Sequence, residues 1–274
     1  TVSFDRFARE QALSPPDFVK IDVQGAELEI LQGGESSLSN ALLVVCEVEF
    51  IPIYRGQPLY GDVAAWLGAA LVAMLTMVAM ALLSGLAAVN LDMLYGVRIF
   101  AAIPVLIAFR RYYGREVTPA WSWTSLLLGL VAAVAFVWLS PRPDAASMQA
   151  WHQEWLSMPP AGRFLWSLVR AAGSIFIVPV AEELAFRGYA LRRLVAQEFE
   201  SVSPGHFSFI ALLISSTAFG AMHAGWLGGT VAGLLFGLVQ IRGRSIGHAV
   251  TAHAISNAAV AVYVLLFNQY WLWM

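Results

Sequence analysis

The chain has 274 residues, of which 59% are hydrophobic and only 12% are charged, and its formal net charge is −2. Soluble globular chains average about 25% charged residues, so the composition excludes an ordinary soluble enzyme and indicates lipid as the solvent of much of the chain. It contains a single lysine and no basic run, and we therefore expect no nucleic-acid partner.

Residues 1–62 differ in charge from the rest of the chain. They carry ten acidic and four basic residues, whereas residues 63–274 carry eight and twelve. The runs "FVKIDV" and "ALLVVCEVEF" in the first unit are rich in β-branched residues and predict two strands. Between them "AELEILQGG" has helical spacing with a glycine stop, so we predict a small α/β fragment. Its cysteine, Cys46, has no partner for a disulfide.

Long apolar runs dominate from residue 63 onward. A helix needs about 20 apolar residues to cross the hydrocarbon core of a bilayer. The candidate spans are 64–89, 93–109, 122–140, 164–181 (with its helix continuing to about residue 196), 207–223, 226–241 and 246–269. The predicted fold is an all-α polytopic membrane bundle of about seven transmembrane helices, preceded by the small α/β fragment.

Arginines lie in alternate loops between these spans. They occur in "RRYYGR" after the second span, at Arg192–Arg193 after the fourth, and in "RGR" after the sixth. Because basic loops stay in the cytoplasm, this pattern predicts a cytoplasmic N-terminus and an outside C-terminus. The loop 141–162 would then face outward, with its "WHQEW" segment at the membrane interface. We expect an integral membrane protein.

Two adjacent carboxylates extend the apolar run "SIFIVPVAEELAFRGYAL". A charge at the centre of a span costs on the order of 2.5–3.5 kcal/mol on insertion scales, so the pair needs a reason. Glu183 and Arg187 are four residues apart and can pair on one helix face. Glu182 is rotated by about 100° and lacks that partner, which leaves it free for chemistry. Pro179 is expected to bend the helix into the site.

Further polar side chains occur in two later spans. His223 ends the run "STAFGAMH", and His253 and Asn257 share one helix face because they are four residues apart. With Glu182 they suit a carboxylate that exchanges a proton with water and donors that stabilise an oxyanion. A single histidine or asparagine of this kind more often joins helices, but three such segments in order favour chemistry.

These residues resemble the motifs of the CPBP family of intramembrane proteases, which includes CAAX-processing enzymes. The motifs Glu-Glu-x-x-x-Arg, Phe-x-x-x-His and His-x-x-x-Asn are matched by Glu182, Glu183 and Arg187, by Phe219 and His223, and by His253 and Asn257. The resemblance covers about residues 90–270. It implies catalysis by Glu182, His223, His253 and Asn257, supported by Glu183, Arg187 and Phe219. The segments "LDMLYGVRIFAAIPVLIAFRRYYG" and "WSW" further resemble the bacterial branch associated with exosortase/PEP-CTERM systems, which implies a bacterial inner membrane.

Metal dependence has two alternatives. Glu182, His223 and His253 could hold a zinc ion with an open water position. Glu182 could equally deprotonate water directly, and we favour this metal-free version.

The first unit resembles another family. "PPDFVKIDVQGAELEILQGG" and "VVCEVEFIPIYRGQPLYGDV" are similar to the C-terminal part of FkbM-type methyltransferases. That family binds S-adenosylmethionine at a Gly-rich turn that has no counterpart in these residues. We therefore expect neither this cofactor nor methyl transfer, and interpret the unit as the product of a truncated or fused gene. A membrane-tethered methyltransferase is the less favoured reading.

The functional prediction is an endopeptidase that cuts a peptide or protein near the surface of the lipid membrane. Prenylated C-termini and sorting-signal tails both fit such a site. The alternative from another class is a non-enzymatic transporter or scaffold in which the same polar residues relay protons or ions. Internal inverted repeats would favour a transporter, and the sequence shows none.

Overall fold

A computed structural model describes residues 2–23, 26–39, 41, 43–46, 94–113, 116–196 and 199–273. The chain divides into two compact units, Thr1–Ala69 and Ala70–Met274. The predicted boundary after residue 62 lies outside the described residues and stays a prediction.

The first unit contains the predicted strand–helix–strand arrangement. Its elements are α1 Phe4–Glu10, β1 Phe18–Ile21, α2 Glu27–Gly33, α3 Glu35–Leu38 and β2 Leu43–Cys46. The strands are parallel, with Phe18 opposite Leu43 and Ile21 opposite Cys46. Leu31 of α2 is 1% exposed and packs with Ile21, because helical spacing turns this face toward the sheet. The small α/β fragment is thus confirmed, with α1 and α3 as additions.

Cys46 ends β2 as a free, half-buried thiol. Burial raises the pKa of this thiol, and the nearby Glu27 carboxylate adds to the effect. The thiolate is the reactive form, so Cys46 is expected to react slowly at neutral pH.

The second unit is helical throughout its described part. Its helices are α4 Leu94–Tyr113, α5 Trp123–Leu139, α6 Ala145–Ser157, α7 Pro160–Arg193, α8 Phe209–Ala221, α9 Trp226–Gly243 and α10 Ile246–Phe267. All but α6 coincide with predicted spans, whereas the predicted span 64–89 lies outside the described residues. Helices α7 and α10 are long and apolar enough to cross a membrane, and α5 and α8 are apolar but shorter. The predicted count of seven spans is therefore not confirmed.

The loops that follow α4, α7 and α9 meet at one end of the helical unit. Arg192 Nη1 lies 2.9 Å from Glu116 Oε2, and the backbone N–H of Gly247 donates to the Glu116 carbonyl at 2.9 Å. Gln240 Nε2 donates to the carbonyl of Pro204 at 3.0 Å. The three loops predicted to share one side of the membrane thus lie together, and we call this the arginine end.

Aromatic side chains gather at the opposite end, which we call the tryptophan end. Trp151 and Trp155 of α6 stack with ring centroids 5.3 Å apart, and Tyr270 lies 4.8 Å from Trp155. Asp144 begins α6 by accepting the backbone N–H of Ser147 at 2.9 Å, which holds the pKa of this carboxyl below its usual value. Helix α6 therefore packs against the chain that follows α10.

Glycines allow α8 and α9 to approach closely. Gly229, Gly233 and Gly237 recur every four residues on α9, the spacing of small-residue helix contacts in membranes. A Cβ on Gly229 would lie 3.0 Å from the Gly220 Cα, and one on Gly220 would collide with Thr230 and with the Trp226 carbonyl. This contact fixes the depth at which α8 ends.

Replacing Gly220 by alanine is expected to destabilise the protein by about 1–3 kcal/mol, the usual range for overpacking a tight contact. The matched control is Gly162→Ala, where an added Cβ meets nothing closer than 3.5 Å. Thermal unfolding in detergent measures both variants. An unchanged midpoint for Gly220→Ala would show that the helices separate at little cost.

Candidate active site

The backbone of α7 widens around the two glutamates. Residues Gly173–Ile177 and Leu184–Ala190 are π-helical, and Val178–Glu183 between them is α-helical. Such widenings are frequent at functional sites. Pro179, where we predict a bend, is the second residue after the first widening, and the bend itself stays a prediction. The π geometry accommodates a proline ring that would clash in a regular α-helix.

The first π-helical segment leaves one backbone carbonyl, that of Ser174, available to accept a hydrogen bond from Asn257. The backbone N–H of Val178 bonds five residues back to Gly173, so the carbonyl of Ser174 faces Pro179, which has no N–H. Asn257 Nδ2 donates to that carbonyl at 2.7 Å. The proline on α7 and the asparagine on α10 are therefore complementary, and the contact fixes the amide at the site.

Glu183 is fully buried and has two partners. Its Oε2 lies 3.1 Å from Arg187 Nε, as the four-residue spacing predicts. Its Oε1 accepts a hydrogen bond from His253 Nδ1 at 2.8 Å. The sequence did not indicate this second contact. A carboxylate can only accept, so the proton is on Nδ1, and Glu183 orients the imidazole as well as pairing with Arg187.

Glu182 lies on the other side of the same imidazole. Its Oε2 is 3.9 Å from His253 Nε2 and accepts no hydrogen bond from any described residue. The residue is only 8% exposed. A buried carboxylate oxygen without a donor is costly, and such an atom is common where a reactant completes the site.

His223 is positioned by the end of α8. Its Nδ1 donates to the carbonyl of Phe219 at 2.9 Å, so the opposite nitrogen, Nε2, is the acceptor in the neutral ring. The ring packs against Phe219 and Phe136, with centroids 4.7 and 6.1 Å away. Because α8 stops at Ala221, His223 lies on the turn that follows, where it is half-buried and lines a cavity.

A cavity of about 80 Å³ joins three of the four predicted catalytic residues. His223, His253 and Asn257 line it together with Ser256 and apolar side chains. Glu182 does not line it, but its Oε2 lies 3.9 Å from Nε2 of the lining residue His253. The volume accommodates a few water molecules, since a cavity needs about 10–15 Å³ to hold one water.

Aromatic rings and an arginine pack against the residues that line the cavity. Arg187 lies 4.5 Å from the Phe219 ring centroid, and its Nη2 donates to the Gly233 carbonyl at 2.8 Å. Phe236 stacks on His253 with centroids 4.6 Å apart. Arg187 and Phe219 are the residues predicted to support the site, and that role stays a prediction. The sequence did not lead us to predict a role for Phe236. The only indication of one in the sequence is its position between Gly233 and Gly237.

The predicted zinc set stays a prediction. In the ranges that the structure covers, no three His, Cys, Asp or Glu side chains lie close enough to hold a metal ion. Glu182 and His253 are neighbours, and the Nδ1 of His253 is occupied by Glu183.

Comparison with known families gives two matches. Residues 164–259 match the family model of type II CAAX prenyl endopeptidase Rce1-like proteins, and residues 1–72 match that of the methyltransferase FkbM domain. Each covers less than half of the chain, and both predicted resemblances are confirmed. No curated protein and no solved structure matches the chain. The first match spans all four predicted catalytic residues and supports a membrane endopeptidase; with the two long apolar helices it indicates a membrane protein.

Proposed function

We propose that the helical unit is an intramembrane endopeptidase that hydrolyses a peptide bond near the membrane surface with a water activated by Glu182. The observation that carries this proposal is the placement of His253 between two buried carboxylates, beside a cavity that also holds His223 and Asn257. We further propose a bacterial inner membrane, with a cytoplasmic N-terminus and an outside C-terminus. The partners are lipid and a peptide or protein substrate.

Charge balance supports the role of His253. Glu182, Glu183 and Arg187 together carry one net negative charge in a buried setting, and a proton on His253 brings the four groups to neutrality. The Nε2–H of this imidazolium then serves as a donor to the oxygen of the attacked carbonyl. Glu183 holds the ring in place during this step.

Glu182 supplies the base. Its Oε2 lies 3.9 Å from His253 Nε2, beyond a direct hydrogen bond, and accepts no hydrogen bond from the described residues, which leaves it available to accept one from the attacking water. As the water oxygen attacks the carbonyl carbon, Glu182 takes its proton. When the C–N bond breaks, the proton passes to the leaving amine, which restores the carboxylate and gives an acid and an amine as products.

His223 and Asn257 orient the reactants. The acceptor Nε2 of His223 can hold a proton of the attacking water, since its Nδ1–H is already donated to Phe219. Asn257 uses one amide proton on Ser174 and has a second to donate to the substrate carbonyl. The cavity is too small for a peptide, so substrate entry requires the surrounding side chains to move.

The test is cleavage of reporter peptides by the purified full chain in lipid vesicles. A pool of membrane-anchored peptides with varied sequences, read by mass spectrometry, should yield products with new amino and carboxyl termini. Retention of cleavage in the presence of a chelator would favour the metal-free version, and loss that zinc reverses would favour the metal version. A pool left intact by protein that is folded in the vesicles would overturn the proposal.

Deleting residues 1–62 should leave membrane insertion and cleavage largely intact. A unit of about 60 residues buries too little surface to be strongly stable, and the proposed site needs none of its side chains. The comparison is the full chain, the chain from residue 63, and a shorter one from residue 90 that also loses the first predicted span. We expect the last to be impaired because the topology changes. Loss of cleavage on removing residues 1–62 alone would make that unit a working part.

A further inference from the structure

The polar site is closed toward the arginine end of the helical unit. Between His253 and that end, the side chains of α7, α9 and α10 are almost completely buried. They include Leu191 at 1% exposure, Val239 at 1%, Gln240 at 0%, Ile246 at 0% and Ala249 at 0%. Side chains packed to this degree leave no path for a peptide. Among the described residues, nothing on this side offers an entrance.

The side of the cavity formed by His223 is less completely buried. His223 is half-buried on the short turn between α8 and α9, next to Met222 at 43% exposure and Trp226 at 59%. Helix α8 starts at the arginine end and has 13 residues, about 20 Å of helix, and His223 follows its last residue by two positions. Phe136 lines the cavity three residues before α5 ends. The mouth therefore faces the tryptophan end.

Charge identifies which side of the membrane this is. Five arginines whose side chains are described belong to the arginine end, namely Arg110, Arg192, Arg193, Arg242 and Arg244. The tryptophan end has three, Arg142 in its loop, Arg163 in the first turn of α7 and Arg170, which donates to the Trp273 carbonyl. The positive-inside rule counts basic residues in short loops and makes the richer end cytoplasmic. The aromatic cluster of α6 and the segment after α10 marks the other interface, where tryptophan and tyrosine are enriched.

We infer that the site opens to the extracytoplasmic side, and that its substrates are peptide segments exposed on that surface. This inference rests on the proposed function for its substrate class, but the direction of the opening follows from the packing and the charges alone. It excludes a cytosolic prenylated tail as the substrate. A membrane protein or exported peptide held at the outer interface fits the same geometry.

Cysteine labelling tests the direction independently of activity. In a full-length Cys46→Ser background, one variant carries Ala224→Cys beside His223, and the matched control carries Ser203→Cys in the exposed loop after α7. A membrane-impermeant maleimide is applied to intact spheroplasts of a bacterial host and to detergent-solubilised protein, which shows that each thiol can react. We expect Ala224→Cys to be labelled in intact spheroplasts and Ser203→Cys only after solubilisation. The reverse pattern, or labelling of Ala224→Cys only in detergent, would overturn the inference.

An activity measurement separates this inference from the proposed function. A soluble, impermeant fluorogenic peptide is added to right-side-out vesicles and to inverted vesicles that contain the full chain. Cleavage in right-side-out vesicles alone supports the inference, and cleavage in inverted vesicles alone overturns it. If the cysteines are labelled as expected but no reporter peptide is cleaved, the extracytoplasmic opening is supported and the proposed peptidase function is contradicted.

Discussion

Replacing Glu182 by glutamine should lower the rate of peptide cleavage by about 10²- to 10⁴-fold, the usual contribution of a general base. The amide keeps the size of the side chain but cannot take a proton from water. The Oε2 atom accepts no hydrogen bond from the described residues, so the substitution breaks no hydrogen bond of that atom. The loss should therefore appear in kcat, with little change in folding.

The control for this variant is Glu154→Gln on α6, the same chemical change away from the cavity. Initial rates in vesicles and thermal unfolding in detergent are measured for both. Full activity in Glu182→Gln would remove this carboxylate from the mechanism. A large drop in its unfolding midpoint would instead give Glu182 a structural role and contradict the division between the two glutamates.

Glu183→Gln should lower the free energy of unfolding by about 3–5 kcal/mol, because it leaves the Arg187 guanidinium buried without its counter-ion. The sequence alone predicts this loss of stability. The structure adds a loss of activity, since His253 Nδ1 donates to Glu183 at 2.8 Å and would lose the charge that holds it. Both effects come from one fully buried side chain.

The double variant Glu183→Gln, Arg187→Gln separates these two effects. Removing both charges takes away the uncompensated cation, so the double variant should be more stable than Glu183→Gln alone. Cleavage should remain low, because the imidazole still lacks its carboxylate. If the double variant is less stable than Glu183→Gln, the ion pair between Glu183 and Arg187 does not account for the loss of stability. If the double variant cleaves the reporter normally, His253 needs no carboxylate at Nδ1.

Several features of the fold follow from local sequence. The apolar runs of α7 and α10 are long enough to be identified without a structure, and the Glu183–Arg187 pair follows from their four-residue spacing. The strand–helix–strand unit follows from its β-branched runs and glycines. Helix α6 does not follow, because its 13 residues form no apolar run. Its burial depends on Trp151 and Trp155 meeting Tyr270, far along the chain.

The sequence by itself identified the candidate catalytic side chains, since charged and polar residues in apolar runs stand out wherever they lie. Only the tertiary structure decided their relations. The hydrogen bond of His253 to Glu183 joins residues 70 apart, and that of Asn257 to Ser174 depends on a local π widening of α7. Contacts between helices depend on which faces pack and at what depth, and here the close approach of α8 and α9 at Gly220 and Gly229 sets that depth. The direction in which the cavity opens is decided in the same way, because it depends on where whole helices end relative to one another.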